Sequence, residues 1–208
     1  MSRTVAVVQA RTGSTRLPGK VLKPLIGAPV LAHVMRRAAR ARRIDRVVIA
    51  TTELPTDEPI VELAEREGWP VVRGSEMDLL DRYLAAARAH DAEVVVRITS
   101  DCPMIDPELI DAVVDALDAV GADYASNTLP PRTYPRGLDV EAMTLAALER
   151  AGREDLDPAS REHATPYLWR NPGLFRHARV GNDVDLSDHR WTVDTEEDYH
   201  LLTAIFVS

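Results

Sequence analysis

The sequence predicts a single-domain, three-layer α/β/α fold on a mostly parallel, doubly wound sheet. Three observations predict it: strand-like apolar runs alternate with helix-period segments, the first run ends in a glycine-bracketed basic loop, and 208 residues suit one α/β domain. Thr4-Val5-Ala6-Val7-Val8 is continuously apolar and β-prone, the pattern of a strand covered on both faces of a parallel sheet. Ligands of such sheets lie beyond the carboxyl ends of the strands. The loop Gln9-Ala10-Arg11-Thr12-Gly13-Ser14-Thr15-Arg16-Leu17-Pro18-Gly19-Lys20 falls in that position.

Two familiar phosphate loops are excluded by spacing. A P-loop has four residues between its glycines and Ser or Thr after the Lys, whereas five residues separate Gly13 from Gly19 and Val21 follows Lys20. A dinucleotide fingerprint opens a helix directly, but Pro18 and Pro24 prevent one from starting there. What remains is an extended loop whose glycines admit an anion and whose Arg11, Arg16 and Lys20 supply charge, about what a triphosphate requires.

After the loop, Val30, Leu31, Val34, Met35 and Ala38 recur at helical spacing, and Arg46-Val47-Val48-Ile49-Ala50 forms a second buried strand. Thr56 is expected to cap the next helix, with Pro59 in its first turn, and Val71-Val72 to form a third strand. Ser75-Glu76-Met77-Asp78 has the form of a capping box for a helix carrying Leu79, Leu80, Tyr83, Leu84 and Ala87. Val94-Val95-Val96-Arg97-Ile98 is the fourth strand. Asp106-Pro107 opens a helix to about Val120, and Tyr124-Ala125-Ser126 begins another extended segment.

From residue 128 the pattern loosens, which divides the single domain into two halves, 1–127 and 128–208, the second expected to carry the contacts of a homodimer. Residues 129–137 are proline-rich and too polar for a core, so they form a loop over the sheet edge or at a partner interface. A strand is expected over Leu138 to Met143, a helix after Thr144, and a further helix through Trp169 that stops at Asn171-Pro172-Gly173. Phe175 to Val180 and Arg190 to Val193 are the last strand candidates. Thr195-Glu196-Glu197-Asp198 caps a terminal helix with Tyr199, Leu202 and Ile205.

The net charge of −8 is unevenly placed, since residues 1–46 hold eleven of the 25 Lys and Arg against one acid, Asp45. Arg36, Arg37, Arg40, Arg42 and Arg43 follow one helix and mark a solvated face. An acidic chain without an extended basic stripe is a poor nucleic-acid binder, and a small anionic ligand fits better. The lone Cys102 excludes an intrachain disulfide and a multi-cysteine zinc site; without an adjacent His or helix start it reads as packing. No stretch has the pattern of a signal peptide or membrane span, so the expectation is a cytoplasmic protein that does not engage a membrane.

Asp101 follows the fourth strand and is expected in the same crevice as the basic loop. Magnesium is commonly held by one or two carboxylates together with substrate phosphates, and Asp194 is the second candidate carboxylate. Each aspartate could instead simply cap a helix.

Gln9-Ala10-Arg11 through Lys20, Arg73-Gly74-Ser75, Asp81-Arg82, Asp101-Cys102-Pro103, Tyr134-Pro135-Arg136-Gly137-Leu138-Asp139, Arg161-Glu162-His163 and Trp191-Thr192-Val193-Asp194-Thr195 resemble, in order, the cytidylyltransferases that make CMP-activated sugars. The later motifs resemble the branch of that family concerned with spore-coat polysaccharide. The resemblance spans nearly the whole chain. It implies a nucleotide-diphospho-sugar-transferase-like fold, CTP as donor, Mg²⁺ as cofactor and attack of a sugar hydroxyl on the α-phosphorus. Gln9, Ala10, Arg11, Gly13, Ser14, Arg16 and Lys20 then bind the nucleotide, with Arg11, Arg16 and Lys20 also stabilising the departing charge. Arg73 and Arg82 join the nucleotide set, and Asp101 and Asp194 hold the metal. Arg136, Asp139, Glu141, Arg161, Glu162 and His163 are the candidates for binding an anionic or polyhydroxylated sugar. Ser100 departs from the pattern, standing where relatives generally have Gly. A glycosyltransferase using a nucleotide sugar is the alternative enzyme class, although an Asp-x-Asp motif is missing beside Asp101. An idle nucleotide-binding homologue is the alternative without catalysis.

Overall fold

The structure, a computed structural model, describes residues 3–207. β1 (Thr4–Gln9) is followed by the basic loop and a single 3₁₀ turn at Lys20–Leu22. A short hairpin of β2 (Pro24–Leu25) and β3 (Ala28–Pro29) then delays the first helix, α1 (Val30–Ala38), as the two prolines predict. The chain continues through β4 (Arg46–Thr52), α2 (Glu58–Glu67), β5 (Val71–Gly74), α3 (Leu79–Ala89), β6 (Val94–Thr99) and α4 (Pro107–Ala119). The second half contributes β7 (Tyr124–Ser126), β8 (Glu141–Thr144), α5 (Leu145–Glu154), α6 (Pro158–Arg161), α7 (Pro166–Arg170), β9 (His177–Arg179) and α8 (Glu196–Val207).

Seven strands form one sheet in the order β5-β4-β1-β6-β8-β7-β9. β5, β4, β1 and β6 are mutually parallel, β8 runs antiparallel to both its neighbours, and β9 is parallel to β7. Apolar residues alternate between two helical layers. Ala6, Val8, Ile49 and Val96 face α1, α2 and α4, while Val5, Val7, Val48 and Val95 face α3 and α5. Both faces of β1 are therefore buried, which its unbroken apolar run predicts. The chain lays β4 and β5 on one side of β1 and then returns to place β6 on the other. The carboxyl ends of β1 and β6 thus flank the topological switch point, where ligands of such sheets bind.

Several local expectations are corrected. The cap position of α2 is Asp57 rather than Thr56, and its carboxylate makes no bond to the helix. Asp78, not Ser75, caps α3 by accepting from the Asp81 amide at 2.9 Å, because the chain bends at residues 76 and 77 and Ser75 Oγ is taken by the Met77 amide at 3.2 Å. The helix expected through Trp169 is two short helices. Pro158 and Pro166 each sit at a helix start, and Ala164 between them has φ of 65°, which a continuous helix does not allow. Residues 190–193 make no strand beyond one bridge, Arg136 to Arg190. At α8 the box forms as expected, since Thr195 Oγ1 accepts from the Asp198 amide while Asp198 Oδ2 accepts from the Thr195 amide at 3.0 Å.

Where β6 meets β8, Arg97 lies directly opposite Glu141. Glu141 is buried, bonds Arg97 and accepts from the Tyr124 hydroxyl at 2.6 Å. Burial disfavours the Arg97 cation, but Glu141 outweighs it and raises the guanidinium above its ordinary value. Removing one partner of such a pair strands the other without water. Glu141→Ala is therefore expected to destabilise the fold by about 3–5 kcal/mol, read as a lowered urea midpoint at neutral pH; an unchanged midpoint would show that the pair is dispensable.

Candidate active site

A cleft of about 370 Å³ opens at the carboxyl ends of β1 and β6. The loop that forms its floor closes on one residue, since the Thr12 carbonyl accepts from the amides of Ser14 at 2.8 Å and Gly19 at 3.0 Å. Gly19 has φ of 68°, a left-handed conformation that lets the chain turn into the 3₁₀ segment and present Lys20 inward. Leu17 anchors the outer part of the loop by packing among Leu25, Val30, Val193 and Leu202.

Lys20 Nζ lies 2.5 Å from Asp101 Oδ2 and 2.8 Å from Asp194 Oδ1. Asp101 extends from the end of β6. Asp194 is brought beside it because the Val193 amide donates to the Asp101 carbonyl at 2.8 Å. Arg16 reaches Asp194 at 3.0 Å, and Arg190 does so at 2.5 Å while also holding Asp198. Burial opposes the charge on both sides, yet ion pairing wins: Lys20 is held above the ordinary lysine range and Asp194 below the ordinary carboxylate range.

Gln9, Ala10, Arg11, Gly13, Ser14, Arg16, Lys20, Arg82, Asp101, Glu162, His163 and Asp194 all line this cleft. Arg82 is 4% exposed, and its Nε and one terminal nitrogen have no partner among the described residues. Burial, with Arg11 nearby, lowers the affinity of its guanidinium for the proton. Arg11 stands loosely between Glu76 at 3.7 Å and Glu162 at 3.9 Å. Ser100 adds a buried hydroxyl-bearing side chain to the lining. Cys102 is also buried, and burial, followed by Asp101, raises its thiol well above the ordinary value, so packing is its chemistry.

Five expected site residues lie elsewhere. Arg73, at the outer strand β5, bonds Glu58 at 2.8 Å and the Thr52 carbonyl. Asp139 pairs with Arg132, and Glu141 is committed to Arg97 and Tyr124. Arg161 clamps Asp78 at 2.7 Å and donates to the carbonyls of Gly152 and Asp155. Arg136 acts through its backbone, bonding the amide of Trp191 and the carbonyl of His189. Glu76, like Thr15 and Thr99, lines the cleft without being singled out by the sequence: its place three residues before Leu79 marks it as helix-start punctuation, and only the folded chain turns it to the cleft.

For the divalent ion that the fold family implies, the donor set fits. Two hard carboxylates converge on one cationic position, and among the described residues no group of three or more ligating side chains forms an all-protein cage. That is the arrangement expected where one or two carboxylates hold a hard divalent ion and other ligands fill its remaining positions.

A basic loop thus faces paired carboxylates at the switch point, an arrangement suited to an anionic ligand that carries a cation. The sequence model of the cytidylyltransferase family matches residues 5–205, and the chain belongs to that family. It is 34% identical over 217 aligned residues to the spore coat polysaccharide biosynthesis protein SpsF of Bacillus subtilis, covering 99% of this chain and 87% of that one. A cytidylyltransferase structure from Leptospira borgpetersenii superposes with a TM-score of 0.94 at 37% identity, covering 100% of this chain and 87% of the other. The CMP:2-keto-3-deoxy-manno-octonic acid synthetase complexed with CTP shares the fold, with a TM-score of 0.74 at 19% identity and 99% coverage of both chains. No helix among the described residues is long and apolar enough to cross a membrane.

Two predictions follow from how Asp194 is held. Gly137 has φ of 102°, and a Cβ there would collide with the Trp191 carbonyl group and approach the Thr192 nitrogen at 2.8 Å. Gly137→Ala should therefore displace the segment leading to Asp194 and lower turnover by about a hundredfold, with the far-ultraviolet circular dichroism unchanged; full activity would show that this contact does not position Asp194. The second concerns acid. Asp57, Asp194 and Asp198 all have depressed folded pKa values, so their contribution is present above the unfolded value and lost as pH falls through the folded ones. Urea midpoints should hold near pH 5–7 and decline below about pH 4; a midpoint that stays constant down to pH 3 contradicts this linkage.

Proposed function

We propose that this cytidylyltransferase carries CMP from CTP to a hydroxyl of a sugar or sugar acid, releases pyrophosphate, depends on Mg²⁺, and serves polysaccharide or glycoconjugate synthesis. The observation that carries the proposal is Lys20 bridging Asp101 and Asp194 at the switch point, with Arg16 on the same carboxylate. In this reading the acceptor oxygen forms a bond to the α-phosphorus as the bond from that phosphorus to the β-phosphate oxygen breaks. The hydroxyl proton is released and the electron pair leaves with pyrophosphate.

Asp101 and Asp194 would hold the divalent ion, which neutralises phosphate charge when bound. Lys20, now held by Asp101 and Asp194, would be the group that turns to the phosphate oxygens of the bound nucleotide. In this reading Arg16, together with Arg11 and Lys20, would stabilise the growing charge on the leaving group more than the bound substrate. Glu162 and His163, presented by the turn between α6 and α7, would form the acceptor side, and Arg11, which faces Glu162 at 3.9 Å, would stay with the nucleotide. The family relationship and the CTP complex of the fold neighbour support cytosine as the base. A cytoplasmic homodimer, divided into a nucleotide half over 1–127 and an acceptor half over 128–208, belongs to the same proposal.

The test is pyrophosphate release with Mg²⁺ across CTP, UTP, ATP and GTP, against ulosonates, neutral sugars and sugar phosphates. Release is expected with CTP and one acceptor class, and Asp101→Asn should lower it by at least about a hundredfold while the fold persists. Hydrolysis of a nucleotide sugar without pyrophosphate release from any nucleotide would sink the proposal, and unchanged turnover in Asp101→Asn would remove that residue from the metal site.

A further inference from the structure

Beneath the basic loop lies a carboxylate that the proposed reaction does not use. Asp57 is 1% exposed and does not line the cleft. It occupies the cap position of α2, where an aspartate ordinarily accepts from the first helical amides, yet its side chain makes no such bond. The carboxylate turns the other way. Oδ1 accepts from the Thr12 amide at 2.7 Å and from the Thr12 hydroxyl at 2.7 Å, and Oδ2 accepts from the Thr52 hydroxyl.

Thr12 is the residue on which the loop closes, because its carbonyl receives the amides of Ser14 and Gly19. Asp57 thus fixes the hub, and the hub fixes the segment that carries Arg16 and ends at Lys20. A carboxylate beneath an anion-binding loop repels the ligand, a cost that the attraction between Asp57 and the buried Arg82 offsets in part. Its return is geometric. Two acceptor oxygens satisfy three donors from two different elements, and the helix forgoes a cap bond for that arrangement.

We infer that Asp57 is a positioning residue, tying the end of β4 to Thr12 and so setting the loop geometry from which Arg16 and Lys20 meet the nucleotide phosphates. This rests on the nucleotide reading above. The loop-anchoring part is measurable without any ligand.

The experiment compares wild type, Asp57→Asn, Asp57→Ala and Thr12→Val by amide hydrogen exchange and by calorimetric titration with Mg·CTP, well below the unfolding temperature. In Asp57→Ala, exchange at Thr12, Ser14 and Gly19 should rise about tenfold or more while β1 and β6 amides stay protected, and the Kd for Mg·CTP should rise about tenfold. Asp57→Asn, which keeps one acceptor, should fall between Ala and wild type. Thr12→Val added to Asp57→Ala should cost less than the sum of the two single effects. A lowered unfolding temperature with unchanged loop exchange and unchanged Kd would overturn the inference, leaving Asp57 a core residue only. If Asp57→Ala does not fold, wild-type loop exchange and affinity in both Asp57→Asn and Thr12→Val would overturn it equally. A wild type that does not bind Mg·CTP defeats the nucleotide reading instead, and the exchange data still decide whether Asp57 anchors the loop.

Discussion

Lys20 ties together three segments that lie far apart in the chain: the phosphate loop, the end of β6 at Asp101, and the approach to α8 at Asp194. Each segment brings a charge that would be costly alone in a half-buried cleft. Two carboxylates at one ammonium repel each other, and the ammonium has lost much of its water. The cluster persists because each charge is answered by another, with Arg16 and Arg190 completing the shell around Asp194. Such a cluster is held by mutual compensation of charge, and under the proposed function it would also be exchangeable, with a divalent ion taking the carboxylates while phosphates take the lysine and arginines. Stability and reactivity therefore draw on the same few side chains.

Much of this was readable in the sequence wherever local pattern decided the outcome. The apolar runs of β1, β4 and β6 can only be strands covered on both faces, and glycine and proline spacing alone separates the loop from a P-loop. Asp101 at a strand end and the capping box of α8 are equally local features. What escaped the reading depends on contacts between distant residues. Trp191 to Val193 have strand-like composition, but they are held by the Asp101 carbonyl and by one bridge to Arg136 instead of by a ladder. Glu141 has the look of an acceptor ligand until β8 inserts antiparallel beside β6 and places it against Arg97. Thr56 and Asp57 are both good caps by type. Only the folded loop reveals that the aspartate serves Thr12 rather than its own helix.

The cleft lining balances four basic side chains, Arg11, Arg16, Lys20 and Arg82, against four acids, Glu76, Asp101, Glu162 and Asp194. The balance is not uniform in strength. At the Lys20 end every contact is between 2.5 and 3.0 Å and draws on groups locked to β6, α8 and the loop. At the Arg11 end the pairs are 3.7 and 3.9 Å long and partly exposed, so each is worth little, and the buried Arg82 guanidinium has N–H groups without a partner among the described residues. Preorganisation is most valuable where charge changes most during reaction, which in phosphoryl transfer is around the leaving phosphates. Looser pairing costs less where a ligand must first displace it. The cleft is therefore divided into a tight end and a loose end, a division that arises from which strand ends the switch point brings together; under the proposed function the tight end would hold the metal and the phosphates, and the loose end would yield to the rest of the incoming ligands.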